Sequence, residues 1–195
     1  MIESTALVFA GGRSSRMGRD KPMLPWGDST LLDHAVTIAS HAASDVVIVL
    51  ARPGKAPVGA ARVAVDEPVD IGPIGALHGG LRAARHDRCV TCPCDAPFVT
   101  ADLLQELLVR LDGHSMVAPV SSHGVEPLCA AWNASVVPYV ERYIDGGGRS
   151  LRGLIERLPD VLLIPIDELE SLADTPDPFA NLNTPDEYRR ALEQR

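Results

Sequence analysis

The chain has 195 residues and a formal net charge of −8. That length suits one domain with a sizeable core, and that charge argues against a nucleic-acid binder or a protein held on an anionic membrane, both of which need positive potential over a broad surface. Almost half of the residues are hydrophobic, yet no apolar run reaches membrane-spanning length, and residues 1–10 lack the basic and apolar regions of a secretory leader. The expectation is a cytoplasmic protein whose four cysteines stay reduced.

In chain order, residues 5–10 read as a buried strand and 11–21 as a loop rich in glycine and arginine. Residues 30–43 carry apolar positions at helical spacing. Residues 45–50 and 62–65 are strands rich in β-branched side chains. Residues 66–75 form a loop with two prolines and two glycines, followed by a helix over 74–84 that Gly79 and Gly80 weaken. A strand over 88–92 ends at Pro93. Thr100 is placed to cap a helix over 101–111. Strands follow over 115–119 and 127–132, helices over 134–144 and 150–157, and a strand over 161–166. Thr184 then caps a terminal helix with Pro185 at its first position. Strands alternating with helices predict an α/β fold: a Rossmann-like, mainly parallel sheet between two helical layers. The whole chain is read as a single domain. Residues 1–115 form a nucleotide-binding half and residues 116–195 an acceptor-binding half.

The densest signal is Phe9-Ala10-Gly11-Gly12-Arg13-Ser14-Ser15-Arg16-Met17-Gly18-Arg19-Asp20-Lys21. It leaves the carboxyl end of a strand, where open α/β sheets bind ligands. Gly11 and Gly12 let backbone N–H groups approach phosphate oxygens, and Arg16 and Lys21 add full positive charge. Four cations fall within nine residues, and Lys21 is one of only two lysines in the chain. A Walker A loop is excluded because Asp20 precedes Lys21 and Pro22 follows it, and the dinucleotide pattern G-x-G-x-x-G is absent. A solvated, arginine-rich turn is the plain alternative.

The string resembles the signature A-G-G-x-S-x-R-M-G-x-D-K of the MobA-like nucleotidyltransferases, and within them the molybdenum cofactor guanylyltransferases. The resemblance runs on through Leu24-Pro25-Trp26-Gly27, Asp66 with Gly72-Pro73-Ile74-Gly75, Cys92-Pro93-Cys94-Asp95-Ala96-Pro97-Phe98, and Asn181-Leu182-Asn183-Thr184-Pro185. It implies transfer of GMP from GTP to molybdenum-molybdopterin with release of pyrophosphate. Phe9, Ala10, Gly11 and Gly12 would line the nucleotide site, Arg16 and Lys21 would hold the triphosphate, and Asp66 would contact the nucleotide. Asp95 would bind magnesium, with manganese as a substitute. Ala51 stands where some members place an asparagine that helps to read guanine, so a backbone contact would have to replace it. The partners implied are GTP and molybdopterin, with transient contacts to molybdoenzymes or cofactor-synthesis proteins, and neither nucleic acid nor membrane.

The residues support parts of this directly. Magnesium prefers hard oxygen ligands and keeps several waters, so Asp95 together with phosphate oxygens suffices. Arg16, Lys21 and Asp95 are therefore the catalytic candidates. Catalysis would rest on positioning and charge neutralisation, with no side-chain nucleophile. Asp66 contacts a ribose or base, or merely forms a turn. Gly148, Arg149 and Ser150 precede a helix and are candidates for an acceptor phosphate. Asn181 and Asn183 contact the acceptor, or simply cap. Cys92 and Cys94 read as buried small hydrophobes, since no second pair or matching histidines complete a zinc site. The rival activities are a cytidylyltransferase on the same cofactor, a sugar-phosphate nucleotidyltransferase, and a binding protein without turnover.

Overall fold

The computed structural model of the chain describes residues 2–11, 21–52, 61–175 and 177–195. Its strands are β1 (Thr5–Phe9), β2 (Pro25–Trp26), β3 (Ser29–Thr30), β4 (Asp45–Leu50), β5 (Arg62–Val65), β6 (Arg88–Pro93), β7 (Met116–Ser121), β8 (Gly124–Val125), β9 (Ala131–Asn133) and β10 (Val161–Pro165). Its α-helices are α1 (Leu31–Ala42), α2 (Pro73–Ala83), α3 (Ala101–Val109), α4 (Val137–Asp145), α5 (Leu151–Ile155) and α6 (Pro185–Glu193).

The main sheet runs β10-β7-β9-β6-β1-β4-β5, with β8 paired to β7. Strands β6, β1, β4 and β5 are mutually parallel, as are β7 and β10, while β9 runs antiparallel to both β6 and β7. Successive side chains of a strand point to opposite faces, and here both faces are apolar. Ala6, Val8, Ile48 and Val90 pack with α1 and α3 on one face. Leu7, Val47, Val49 and Trp132 pack with α2, α4 and α5 on the other. The expected three-layer fold is therefore present.

The helix starts follow from local chemistry. Thr30 accepts from the Asp33 N–H while Asp33 accepts from the Thr30 N–H, a reciprocal capping box. Thr184 and Glu187 repeat it at α6, with Pro185 in the first turn, and Thr100 caps α3. The two glycines of α2 serve packing. A Cβ on Gly79 would stand 2.1 Å from the Val65 carbonyl oxygen, and one on Gly80 would stand 3.0 Å from Leu7 Cδ1. Glycine lets α2 lie against the sheet.

Three segments differ from expectation. The strand read over 127–132 is confined to 131–133, because Cys129 donates its N–H to the Glu126 carbonyl in a turn. The helix read over 134–144 opens with a 3-10 turn over Ala134–Val136, capped by Asn133, before α4 begins. The β2–β3 hairpin, turning at Gly27 with φ +65°, was not expected. Trp26 of this hairpin packs with Leu24, Leu31, Leu182 and Ala191 in a satellite core, and edge-to-face on Phe98. That core ties the last helix to the segment just after the arginine-rich loop. No helix among the described residues is long and apolar enough to cross a membrane.

Candidate active site

Strands β1, β4, β5 and β6 all end on one edge of the sheet, and a cavity of about 780 Å³ opens there. Phe9 and Gly11 reach it from β1, Ala51 and Arg52 from β4, Asp66 from β5, and Cys94 and Asp95 from β6. Lys21 and Asn183 complete one end, and Gly72, Pro73 and Ala76 the other. Seven of the residues singled out in the sequence thus meet in one cavity: Phe9, Gly11, Lys21, Ala51, Asp66, Asp95 and Asn183. Ala10 sits behind the lining, its N–H donated to the Val49 carbonyl at 3.0 Å. Gly12 and Arg16 lie outside the described residues.

At the β6 end, Lys21 Nζ donates to Asp95 Oδ2 at 2.8 Å and to Asn183 Oδ1 at 3.0 Å. The Leu182 N–H donates to the Asp95 carbonyl at 2.9 Å. The loop after β1, the loop after β6 and the C-terminal segment are therefore joined at one point. Asp95 is the residue able to hold a divalent cation. Among the described residues no group of three or more His, Cys, Asp or Glu side chains is placed to form a metal cage. One carboxylate at the cavity edge fits an ion that keeps its waters and brings phosphate oxygens with it.

At the β5 end, Asp66 is only 9% exposed, and its Oδ1 has no hydrogen-bond partner. Burial, with a smaller contribution from the Asp70 charge, pushes its carboxyl up to about 6. The Asp66 N–H is donated to the Leu50 carbonyl at 2.9 Å, which fixes it beside Ala51. Arg52 makes two hydrogen bonds to Asp70, at 2.9 and 3.2 Å, and so ties the end of β4 to the loop after β5. This pair was missed in the sequence. The only available signal was an aspartate in a proline- and glycine-rich loop, and Asp70 does take a positive φ of 63°. The floor between the two ends is flat, because a Cβ on Gly11 would meet the Ala51 nitrogen at 2.8 Å.

The remaining candidates separate. Asn181 and Asn183 both line a second cavity of about 730 Å³, bounded also by Phe98, Glu126, Glu187 and Arg190. Asn183 belongs to both cavities. Gly148, Arg149 and Ser150 lie in the α4–α5 loop and line neither cavity. Their polar groups are spent locally: Arg149 donates to the Ile144 and Gly148 carbonyls, and Ser150 caps α5. All four cysteines are buried and free, as expected for Cys92 and Cys94. Burial pushes the Cys92 thiol up to about 12 and raises that of Cys94 as well. Thiols held protonated in this way are poor nucleophiles.

Comparison with known proteins agrees with this layout. The MobA-like NTP transferase domain matches residues 6–161. A molybdenum cofactor guanylyltransferase from Pseudomonas fluorescens is 33% identical, over 94% of this chain and 91% of that protein. The crystal structure of molybdopterin-guanine dinucleotide biosynthesis protein A from Archaeoglobus fulgidus superposes with a TM-score of 0.84 at 27% identity, covering 97% of each chain. A Mycobacterium tuberculosis protein solved in complex with manganese shares the fold at 21% identity and a TM-score of 0.69, over the full length of both chains. The chain belongs to the MobA-like NTP transferase family of nucleotidyltransferases.

Proposed function

We propose that the chain transfers GMP from Mg-GTP to molybdenum-molybdopterin, forming the guanine dinucleotide form of the cofactor and releasing pyrophosphate. The observation that carries this reading is the pairing of Lys21 with Asp95 at 2.8 Å, at the end of a cavity of about 780 Å³ large enough for a nucleotide. A phosphate oxygen of the acceptor attacks the α-phosphorus, a new P–O–P bridge forms, the bond between the α- and β-phosphates breaks, and pyrophosphate carries away the electron pair. Lys21 neutralises charge on the phosphate tail, and Arg16 does the same by likeness to the family signature. Asp95 holds magnesium, or manganese in its place. The metal supplies Lewis-acid stabilisation of charge on the transferred and leaving phosphates. Phe9 and Gly11 form the floor under the nucleoside, beside Ala51, and Asp66 contacts the nucleotide.

The acceptor enters from the second cavity. Asn183 stands on the boundary between the two cavities and Asn181 lies within the second. This divides the work between a nucleotide-binding half, about residues 1–115, and an acceptor-binding half after it, within one domain. The test is pyrophosphate release with molybdopterin acceptor, magnesium and each of the four nucleoside triphosphates. Release with GTP above the others supports the reading. Release with CTP alone makes the chain a cytidylyltransferase, and release with none, despite binding, makes it a carrier.

A further inference from the structure

Three carboxylates line the main cavity among the described residues, and two of them are spent. Asp70 is held by Arg52 through two hydrogen bonds, and Asp95 by Lys21. Asp66 differs: it is nine-tenths buried and its Oδ1 accepts nothing. Buried polar atoms without a partner are rare in native proteins and call for a specific reason. Position supplies one. Asp95 ends β6 and Asp66 ends β5, with β1 and β4 between them. Neighbouring strands lie about 4.8 Å apart, so the two carboxylates are separated by roughly 14 Å. A nucleoside triphosphate whose phosphates rest at Lys21 reaches Asp66 with its base. The wall there, Gly72, Pro73 and Ala76, is apolar, and Ala51 offers no polar side chain.

We propose that Asp66 selects the base, and that its charge state sets which base is selected. The ionised carboxylate accepts two adjacent N–H groups, which guanine presents at N1 and the 2-amino group. The protonated carboxyl offers one donor and one acceptor, the complement of N3 and the 4-amino group of cytosine. This rests on the reading of the cavity as a nucleoside triphosphate site. Asp66 does the work otherwise left undone at position 51.

Both charge states are within reach near neutrality, because burial and the Asp70 charge hold the group at about 6. The other charged groups nearby are engaged elsewhere. Glu67 accepts from Arg82 of α2 at 3.8 Å, and His78 of α2 bonds the Glu67 carbonyl and Glu141. Arg52 is bound to Asp70, and the Lys21–Asp95 pair lies across the cavity.

The test is calorimetry of the full chain with magnesium and GTP, CTP, ITP or 2′-deoxy-GTP from pH 5.5 to 8. The GTP-to-CTP affinity ratio is expected to rise with pH, by up to about tenfold per unit. Titration of the triphosphate itself is common to both ligands and cancels in that ratio. ITP lacks the 2-amino group and should bind roughly tenfold more weakly than GTP at pH 8. Asp66→Asn carries one donor and one acceptor at every pH. It should narrow the ratio by about tenfold or more and abolish its pH dependence. A ratio that ignores pH in the wild-type chain overturns the proposal, as does an Asp66→Asn loss shared equally by all bases. A loss on removing the 2′-hydroxyl that equals the Asp66→Asn loss assigns the residue to the ribose and also overturns it. In those outcomes triphosphates still bind, so the proposed function stands. Failure of every triphosphate to bind removes that function first.

Discussion

Lys21→Met separates catalysis from folding. Methionine keeps the apolar stem and removes the cation. Lys21 Nζ sits 2.8 Å from Asp95 Oδ2 and 3.0 Å from Asn183 Oδ1, with side chains 16% and 26% exposed for Lys21 and Asp95. Water therefore reaches both partners, and Asp95 can be rehydrated when the lysine is lost. The stability cost is then close to that of an exposed pair, about 1 kcal/mol or less. In a chain of this size that lowers Tm by roughly 2–4 °C. The loss in the transition state is larger. A hydrogen bond to a charged group contributes about 1.5–3 kcal/mol, which corresponds to roughly 10- to 150-fold in kcat/KM. Steady-state pyrophosphate release from GTP with the molybdopterin acceptor measures the one, and a thermal melt measures the other. Turnover within about threefold of wild type would refute the assignment of Lys21 to the phosphates. A Tm drop of more than about 10 °C would instead make Lys21 a structural strut.

Asp95→Asn keeps the shape and weakens the metal ligand, so turnover should fall at least about tenfold, and the magnesium concentration for half-maximal rate should rise. A magnesium titration of initial rates checks both. Asp45 is 9% exposed and bonded by Thr5 and Arg62, with Arg85 at 3.7 Å. Burial alone would raise its carboxyl, but the hydrogen bonds from Arg62 and Thr5 and the charges of both arginines outweigh it, so its folded value lies below 3.8. A depressed folded value stabilises above the unfolded value and is lost as pH falls through the folded one. Wild-type Tm should therefore decline below about pH 4, and Asp45→Ala should cost about 3 kcal/mol at pH 7 by stranding Arg62. Circular-dichroism melts from pH 3 to 7 test this. Gly79→Ala places a methyl 2.1 Å from the Val65 carbonyl. It should cost roughly 1–3 kcal/mol in urea unfolding, with GTP affinity reduced as α2 lifts from the loop that holds Asp66.

Much of this was legible because it is local chemistry. Strands 45–50 and 62–65 are β-branched runs between turn signals, and their bounds agree with the structure. Thr30, Thr100 and Thr184 cap helices because a hydroxyl one residue ahead of an apolar period satisfies a free N–H wherever it occurs. The cavity was legible because glycines and carboxylates at the ends of parallel strands converge on one edge. What the sequence hid is long-range pairing. Nothing local says that Asn183 reaches Lys21 across 162 residues, or that Arg52 turns to Asp70. The Gly148-Arg149-Ser150 segment misled for the opposite reason. A glycine run before a helix is a fit anion site in isolation, but here the donors of Arg149 answer the carbonyls that end α4. The β2–β3 hairpin escaped notice because its strands are two residues each, too short for any periodicity.

Charge balance ties the site to the character of the whole chain. The protein is acidic, at −8, yet its substrates on the proposed reading are anions. Among the described residues lining the cavity, two side chains are cationic, Lys21 and Arg52, and three are carboxylic, Asp66, Asp70 and Asp95. Other arginines are committed outside the cavity: Arg62 to Asp45, Arg82 to Glu141, Arg88 to Asp112 and Arg110 to Glu106. A cavity with more acids than bases cannot hold a triphosphate on those side chains alone. The deficit must be met by Arg13, Arg16 and Arg19 of the loop after β1 and by a divalent ion arriving with the nucleotide. Affinity for GTP should therefore depend on magnesium more steeply than on monovalent salt, because the ion acts at contact distance, whereas salt screens charges already paired.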